Sequence, residues 1–198
     1  MLVELKGSCH CSSVTFTVQS GTPVPYMFCI CSICRKVGCA GGSINLGAHA
    51  ETLRITKGRE NISIYNAVLD LGTPQESRAK SERHFCSKCS AMLWLWDETW
   101  PELLHPHASA IDEPELKAPE EMTAAMKNSA PVWVRLPEGK KIVFKEYPGL
   151  PGRGLPLAAV RVVGLAGHIC NFAVLAYRGG LTFSDGDLIC PSVDPPIR

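Results

Sequence analysis

The sequence predicts a mainly β protein, built as a small domain of antiparallel sheets with one or two short helices. Two observations support this prediction. Short runs of alternating apolar and polar residues recur over residues 1–96, and glycines or prolines interrupt them every few residues. That region contains no long apolar stretch with helical spacing. The 198 residues, 45% of them apolar, are enough to bury a hydrophobic core.

Four candidate strands follow one another in this region. Residues 14–18 and 62–65 alternate between apolar and polar side chains, which is typical of strands with one buried face. Residues 53–56 form a shorter candidate. Residues 92–96 are continuously apolar, which indicates a strand covered on both sides.

A proline-rich, acidic segment follows at residues 97–131. Within it, residues 119–127 are the best helix candidate, with Pro119 and two acids at the start and Lys127 at the end. Residues 133–136 and 142–144, separated by a Pro-Glu-Gly turn, predict a closing hairpin.

The composition changes near residue 150, so we divide the chain into a domain at 1–150 and an atypical extension at 151–198. Residues 155–177 are apolar enough to consider a membrane span. Arg161 alone opposes insertion by about 2.5–3.5 kcal/mol, and internal glycines and prolines weaken the span further. We expect a loosely packed or disordered extension without function.

Charge and cysteine content narrow the class of protein. The formal net charge is +1, which argues against nucleic acid or an anionic membrane as partner. The first residues lack the basic start and apolar run of a secretory signal. We therefore expect a cytoplasmic protein with reduced thiols, and close-set reduced thiols commonly bind metal.

Seven of the ten cysteines fall in spacings suited to metal ligation. Cys-x-Cys and Cys-x-x-Cys turns let neighbouring thiolates face one ion, and a structural zinc site needs four ligands. The residues alone allow several groupings. One grouping is a closed site of four and an open site of three, with two zinc ions per chain: Cys9, Cys11, Cys86 and Cys89 for the first, and Cys29, Cys31 and Cys34 for the second.

The open site would carry the function. Three protein ligands leave one position for substrate, and a zinc held by three thiolates is soft and favours another thiolate. Arg35 and Lys36 either offset the excess negative charge there or are solvated surface residues. Cys39 is an alternative fourth ligand, which would make the second site structural and remove the basis for catalysis.

Three blocks of this sequence resemble the glutathione-dependent formaldehyde-activating enzyme family, which includes centromere protein V and is grouped with carbon–sulfur lyases. The blocks are Gly7–Cys11, Cys29–Lys36 and Arg83–Cys89. Further similarity lies at Trp94-Leu-Trp96, Leu104–Asp112 and Glu146-Tyr147-Pro148. The resemblance covers about residues 3–148.

The resemblance implies a zinc-bound β-tent fold. It also implies structural zinc on Cys9, Cys11, Cys86 and Cys89. The catalytic zinc would lie on Cys29, Cys31 and Cys34, and would accept the glutathione thiol. The implied reaction joins that thiolate to formaldehyde, giving S-hydroxymethylglutathione.

The sequence departs from the family pattern at three positions near the cysteines. Ser12 and Ser90 stand where the family usually has glycine, and Ile30 stands where it often has histidine. The family's usual C-terminal Trp-His helix has no counterpart after residue 148.

Other polar and aromatic residues receive simpler interpretations. His105 and His107 are predicted as surface loop residues rather than proton donors. Trp94, Trp96 and Trp100 are predicted to build core. Asn45 and the Gly41-Gly42-Ser43 turn are candidates for substrate contact, and the isolated Cys170 and Cys190 are expected to be inert.

Three functional hypotheses follow. The leading one is a zinc-dependent carbon–sulfur lyase or synthase acting on glutathione or a related thiol adduct. The second keeps the open zinc site but assigns it to a tailoring enzyme of specialised metabolism. The third is a non-catalytic, zinc-stabilised binding module. The sequence does not define the oligomeric state.

Overall fold

A computed structural model describes residues 2–38 and 41–147. In these residues the protein is mainly β, as predicted, with twelve strands and one α-helix, α1 (Ser32–Gly38). The strands are β1 (Val3–Ser8), β2 (Thr15–Ser20), β3 (Thr22–Cys29), β4 (Ser43–His49), β5 (Arg54–Lys57), β6 (Ile62–Leu69), β7 (Ser77–Cys86), β8 (Met92–Trp96), β9 (Leu103–Pro106), β10 (Ile111–Glu113), β11 (Met122–Ala125) and β12 (Lys141–Val143). Short 3-10 helices lie at Ala50–Thr52, Arg59–Asn61, Ala108–Ala110 and Lys127–Ser129.

The strands form two sheets. One has four strands in the order β10-β1-β2-β5, and the other has eight in the order β12-β11-β3-β4-β9-β8-β7-β6. Most neighbouring strands are antiparallel, as expected from short connections. At one edge, β11 runs parallel to both β3 and β12, so the larger sheet is mixed.

The main core lies between the two sheets. Phe16 on β2 and Trp94 on β8 are almost fully buried, and their rings meet edge to face with centroids 5.0 Å apart. The alternation predicted for β2 is confirmed, because Phe16 and Val18 point inward while their neighbours are half-buried. The predicted strands at 53–56, 62–65 and 92–96 are also confirmed as β5, β6 and β8.

A second, smaller core fastens the start of α1 to the parallel edge of the larger sheet. Ile30 and Phe28 pack there against Ala124 and Val134. Gly42 lies so close to this core that a Cβ atom would stand 2.4 Å from the Cys29 carbonyl oxygen. Glycine is therefore required there, and it lets β4 begin directly beside the end of β3.

Two sequence expectations are wrong in this edge region. Residues 119–127 contain no α-helix, because Met122–Ala125 pairs between β3 and β12, and this tertiary pairing outweighs the local helix propensity of Ala and Met. The hairpin is also absent: β12 pairs in parallel with β11, and Trp133 lies 64% exposed outside any strand.

Candidate metal centres

The first cysteine cluster lies where two chain reversals meet. Cys9 and Cys11 occupy the turn between β1 and β2, whereas Cys86 ends β7 and Cys89 lies in the turn before β8. Their four Sγ atoms all lie within 4.8 Å of one another. Since β1 and β7 belong to different sheets, this cluster joins the two sheets at one end.

The sulfur spacing fits a tetrahedral zinc. A zinc ion with sulfur ligands about 2.3 Å away places those sulfurs roughly 3.8 Å from one another. The Sγ of Cys11 lies 3.6 Å from that of Cys9 and 3.9 Å from that of Cys86. These separations are far longer than a disulfide bond. The backbone N–H of Val14 donates to the Cys9 sulfur at 3.2 Å, which supports a thiolate there.

The serines that replace the family's usual glycines lie in left-handed backbone conformation. Ser12 has φ 54° and Ser90 has φ 61°, and each residue follows a cysteine of the cluster. Both close tight turns, with Ser12 N donating to Cys9 O and Ser90 N donating to Cys86 O. Glycine adopts this conformation without strain, whereas serine is disfavoured by about 1 kcal/mol.

The second cluster lies between β3 and α1. Cys29 is the last residue of β3, Cys31 precedes α1, and Cys34 lies in its first turn. Their Sγ atoms also lie within 4.8 Å of one another, and Cys29 and Cys34 are buried whereas Cys31 is partly exposed. The two cysteine groups expected from sequence are thus brought together in space, as four and as three.

Metal-free, the three thiols share protons unequally. Hydrogen bonds from Cys29 and then Cys34 lower the pKa of Cys31 to about 2. The hydrogen bond to Cys31 raises the pKa of Cys29, and burial raises it further. Cys31, the most accessible of the three, therefore ionises more readily than Cys29 and can supply negative charge to a cation.

Tyr147 contacts the second cluster from a distant part of the chain. Its hydroxyl oxygen lies 2.8 Å from the Cys29 sulfur. Desolvation, followed by the charge of nearby sulfurs, raises the pKa of Tyr147, so the phenol stays protonated. The phenol would therefore donate to the Cys29 sulfur when that residue binds a metal as a thiolate, as partners of metal-ligating residues commonly do.

A cavity of about 530 Å³ opens beside this second cluster. Cys31 and Cys34 reach its wall, together with Tyr147 and Trp100. Its volume is within the range of small-molecule binding sites. No cavity residue other than Cys31 and Cys34 belongs to either cysteine cluster, so only the three-cysteine cluster is presented to a ligand there.

The expectation of surface histidines is wrong. His105 lies on β9 and is 3% exposed, and His107, directly after that strand, is 4% exposed. Burial lowers the pKa of each to about 4, and the nearby charge of Arg83 contributes for His107. Both rings are therefore neutral at pH 7, and His105 lines the cavity beside the cysteines.

Arg35 is half-buried, so its interpretation as a solvated surface residue is wrong, whereas its role in offsetting the charge of the cysteines stays a prediction. Its guanidinium donates to the backbone carbonyl oxygens of Ile30 and Ser129, at 2.6 and 2.5 Å. This contact fastens the loop that carries the cysteines to the 3-10 helix Lys127–Ser129. Ile30 is fully buried in the smaller core, so no proton carrier lies between Cys29 and Cys31.

Several other expectations have mixed outcomes. Trp94 builds core, and Trp96 packs against it, as predicted, whereas Trp100 lines the cavity. Asn45 lines the cavity as well, in agreement with its candidacy for substrate contact. Cys39, Cys170, Cys190 and the extension at 151–198 lie outside the described residues.

Sequence reasoning assigned no role to Arg83 or Tyr147, although both fall inside the family-like blocks. Arg83 lies on β7 between β6 and β8 and is only 6% exposed. The available signal was the position of Arg83 in the family-like block, three residues before Cys86. Tyr147 is 113 residues beyond Cys34, and no sequence spacing predicts their proximity.

The fold and the clusters define a mainly β protein with two groups of cysteines that can hold metal ions. The family model for glutathione-dependent formaldehyde-activating enzymes matches residues 4–129, and this chain belongs to that family. A relative from Halomonas elongata, named "putative glutathione-dependent formaldehyde-activating enzyme", is 48% identical over 147 residues, covering 73% of this chain and 88% of the relative. These matches support enzyme status.

A solved structure was also found to be similar. The crystal structure of a Rhodobacter sphaeroides protein matches with a TM-score of 0.44 and 25% identity, over 56% of this chain and 90% of that one. Within residues 2–38 and 41–147, none of the helices has the length and apolar character that crossing a membrane requires.

Proposed function

We propose that this protein adds a glutathione-type thiol to formaldehyde, and catalyses the reverse carbon–sulfur cleavage, at a zinc site held by Cys29, Cys31 and Cys34. The observation that carries the proposal is the meeting of three thiol sulfurs at the wall of a cavity. Family membership adds the substrate class.

The chemistry of the ligand set supports zinc in both clusters. Thiolates favour soft or borderline ions, and the sulfur spacings in the four-cysteine cluster match a tetrahedral zinc. We assign Cys9, Cys11, Cys86 and Cys89 to a structural zinc. Zinc held by Cys29, Cys31 and Cys34 would leave one position for an incoming thiol and would favour the thiolate form of that thiol.

The reaction balances without a further reactant. The thiolate sulfur attacks the carbonyl carbon of formaldehyde, a carbon–sulfur bond forms, and the π bond of the carbonyl breaks. The proton given up by the thiol ends on the oxygen, so that glutathione and formaldehyde give S-hydroxymethylglutathione. The reverse reaction cleaves the same carbon–sulfur bond.

Residues near the three cysteines position these ligands and line the cavity beside them. The Tyr147 hydroxyl lies within hydrogen-bond distance of the Cys29 sulfur and would donate to it once Cys29 binds the metal as a thiolate, and Arg35 fixes the loop that orients the other two cysteines. Leu95 and Trp100 contribute apolar side chains to the wall of the cavity that would take the thiol.

The test is the rate of interconversion between free glutathione and its formaldehyde adduct, measured by exchange NMR with ¹³C-formaldehyde. We expect the zinc-loaded protein to accelerate exchange, and Cys34→Ser to abolish the acceleration. Cys170→Ser changes a cysteine that we expect from the sequence to be inert, so it is the matched control and should retain the acceleration. Equal acceleration by wild type and Cys34→Ser would overturn the proposal.

The same assay separates the alternatives. If the protein does not accelerate the glutathione exchange but cleaves a different thiol adduct, it is a tailoring enzyme that uses the same site. A protein that holds two zinc ions but accelerates no thiol reaction would be a binding module.

A further inference from the structure

Three buried polar side chains in the cavity have an atom without a hydrogen-bond partner among the described residues. They are Arg83, Asn45 and His105, at 6%, 4% and 3% exposure. The atoms are Nη1 of Arg83, Oδ1 of Asn45 and Nδ1 of His105. Buried polar atoms are nearly always paired, so three on one cavity wall indicate a missing ligand.

The sheet places two of these side chains in one row. Arg83 on β7 pairs with Leu95 on β8, and Leu95 pairs with His105 on β9. Residues directly opposite on neighbouring strands point to the same face. With strands about 4.8 Å apart, Arg83 and His105 stand roughly 10 Å apart on the face that lines the cavity.

Arg83 defines the charge of the missing group. Within the described residues, no carboxylate forms an ion pair with its guanidinium. The acid on the same cavity wall, Asp97, is satisfied instead by the Ser81 hydroxyl and the Thr99 N–H. A buried guanidinium without a partner is costly, and its planar geometry suits a carboxylate.

Nδ1 of His105 and Oδ1 of Asn45 indicate which hydrogen-bonding groups the ligand carries besides the carboxylate. The His105 ring hydrogen-bonds to the backbone of Leu46 and is neutral, which leaves Nδ1 as an acceptor. Oδ1 of Asn45 is an acceptor as well. Two acceptors call for N–H donors, and amides beside a carboxylate are found in small peptides.

We propose that Arg83, Asn45 and His105 form a binding site for the carboxylate and amide groups of a small acidic peptide whose thiol reaches Cys31 and Cys34. The inference rests on the proposed function for its reacting thiol, and it adds the residues that select the substrate. Arg83 takes the carboxylate, and Asn45 and His105 accept from amide N–H groups. A neutral thiol of the same size would lack the Arg83 contact.

The test uses S-methylglutathione, whose blocked sulfur cannot act as a thiolate ligand, and its diethyl ester, which lacks both carboxylates. Binding to the zinc-loaded full chain is measured by calorimetry. We expect wild type to bind the free acid roughly 10- to 100-fold more tightly than the diester, as the loss of a charged hydrogen bond implies. Equal affinities in wild type would overturn the proposal, and this comparison requires no variant.

Variants then locate the contact. Arg83→Gln should weaken binding of the acid to the level of the diester and leave the diester unchanged, whereas Arg83→Lys should give an intermediate affinity. Arg54→Gln, the same change at an exposed residue of β5, is the control and should match wild type. A preference for the acid that survives in Arg83→Gln, with folding confirmed by circular dichroism, would also overturn the proposal.

Exchange NMR on the same samples separates this proposal from the function. If wild type accelerates the glutathione–formaldehyde exchange but binds acid and diester equally, the recognition site is wrong and the function stands. If wild type binds the acid selectively but accelerates nothing, the function is wrong and the site stands. If wild type binds neither compound, the recognition site is wrong.

Discussion

The two cysteine clusters use the same ligand atom, but the fold surrounds them differently. The first takes its four thiols from two turns and joins the two sheets. The second takes three thiols from one short segment, and two of them line a cavity of about 530 Å³. A closed set of four suits a structural ion, whereas an open set of three beside a cavity suits catalysis.

This contrast predicts that loss of a ligand has opposite consequences at the two clusters. Cys86→Ser should abolish the stable fold, because structural zinc contributes about 10–16 kcal/mol in small zinc domains and exceeds the usual stability of a domain. Thermal unfolding followed by circular dichroism measures the effect. A Cys86→Ser protein that unfolds within a few degrees of wild type would contradict the structural role.

The matched change at the second cluster should spare the fold. Cys31→Ser should lower the rate of thiol–formaldehyde exchange by roughly 100-fold or more, since even partners of metal ligands contribute 10- to 100-fold. It should also reduce zinc from two ions to one per chain. If Cys31→Ser unfolds as well as losing activity, the second cluster is also needed for the fold, and the contrast between a structural and a catalytic cluster is wrong.

Acid should lower the free energy of unfolding through the buried His107. The folded pKa of His107 is about 4, below its ordinary 6.5, because of burial and then the charge of Arg83. Between pH 6.5 and 4 the unfolded chain therefore binds more protons, and stability falls as pH falls. The loss is about 2 kcal/mol by pH 5 for this residue.

Denaturant unfolding at pH 7 and pH 5 measures this effect. His107→Gln should lose about 2 kcal/mol less than wild type over that interval, while both proteins keep the same cysteines. An identical pH dependence in the two proteins would show that His107 does not titrate as described.

Tyr147 offers a gentler test of the second cluster. Tyr147→Phe removes the hydroxyl 2.8 Å from the Cys29 sulfur and keeps the ring. Zinc affinity at this cluster should fall roughly 10-fold, as for other partners of metal ligands. Competition with a chromophoric chelator measures it, and a variant with unchanged affinity would remove Tyr147 from the site.

The smallest effect concerns the turns of the first cluster. Ser90→Gly should stabilise the protein by up to about 1 kcal/mol, because φ is 61° there and glycine adopts that region without strain. Ser87→Gly, in the same turn at a residue without positive φ, is the control and should not stabilise. Chemical denaturation distinguishes the two.

Local patterns predicted much of this molecule. Alternation predicted β2 and β6, and close cysteine spacing predicted the seven candidate ligands, whereas their division into four and three also rested on the family resemblance. The division at residue 150, the β-tent arrangement and the cytoplasmic location stay predictions.

The errors share a physical cause. Met122–Ala125 has helical propensity, but pairing with β3 and β12 decides its conformation. The sequence around His105 resembles a loop because a proline follows it, yet the residue lies on β9 and pairs with Leu95 of β8. Arg83 and Tyr147 acquire their roles only through contacts between distant segments, which no local pattern contains.

The most direct test is the number of zinc ions per chain, which native mass spectrometry monitors while the protein is exposed to a chelator. We expect two ions. The ion at the open three-cysteine site leaves early while the protein stays folded, and the ion at the four-cysteine site leaves only when the protein unfolds. Glutathione should change the rate of the early loss alone. A stoichiometry fixed at one, or two ions that leave together, would contradict the division into a structural and an open site.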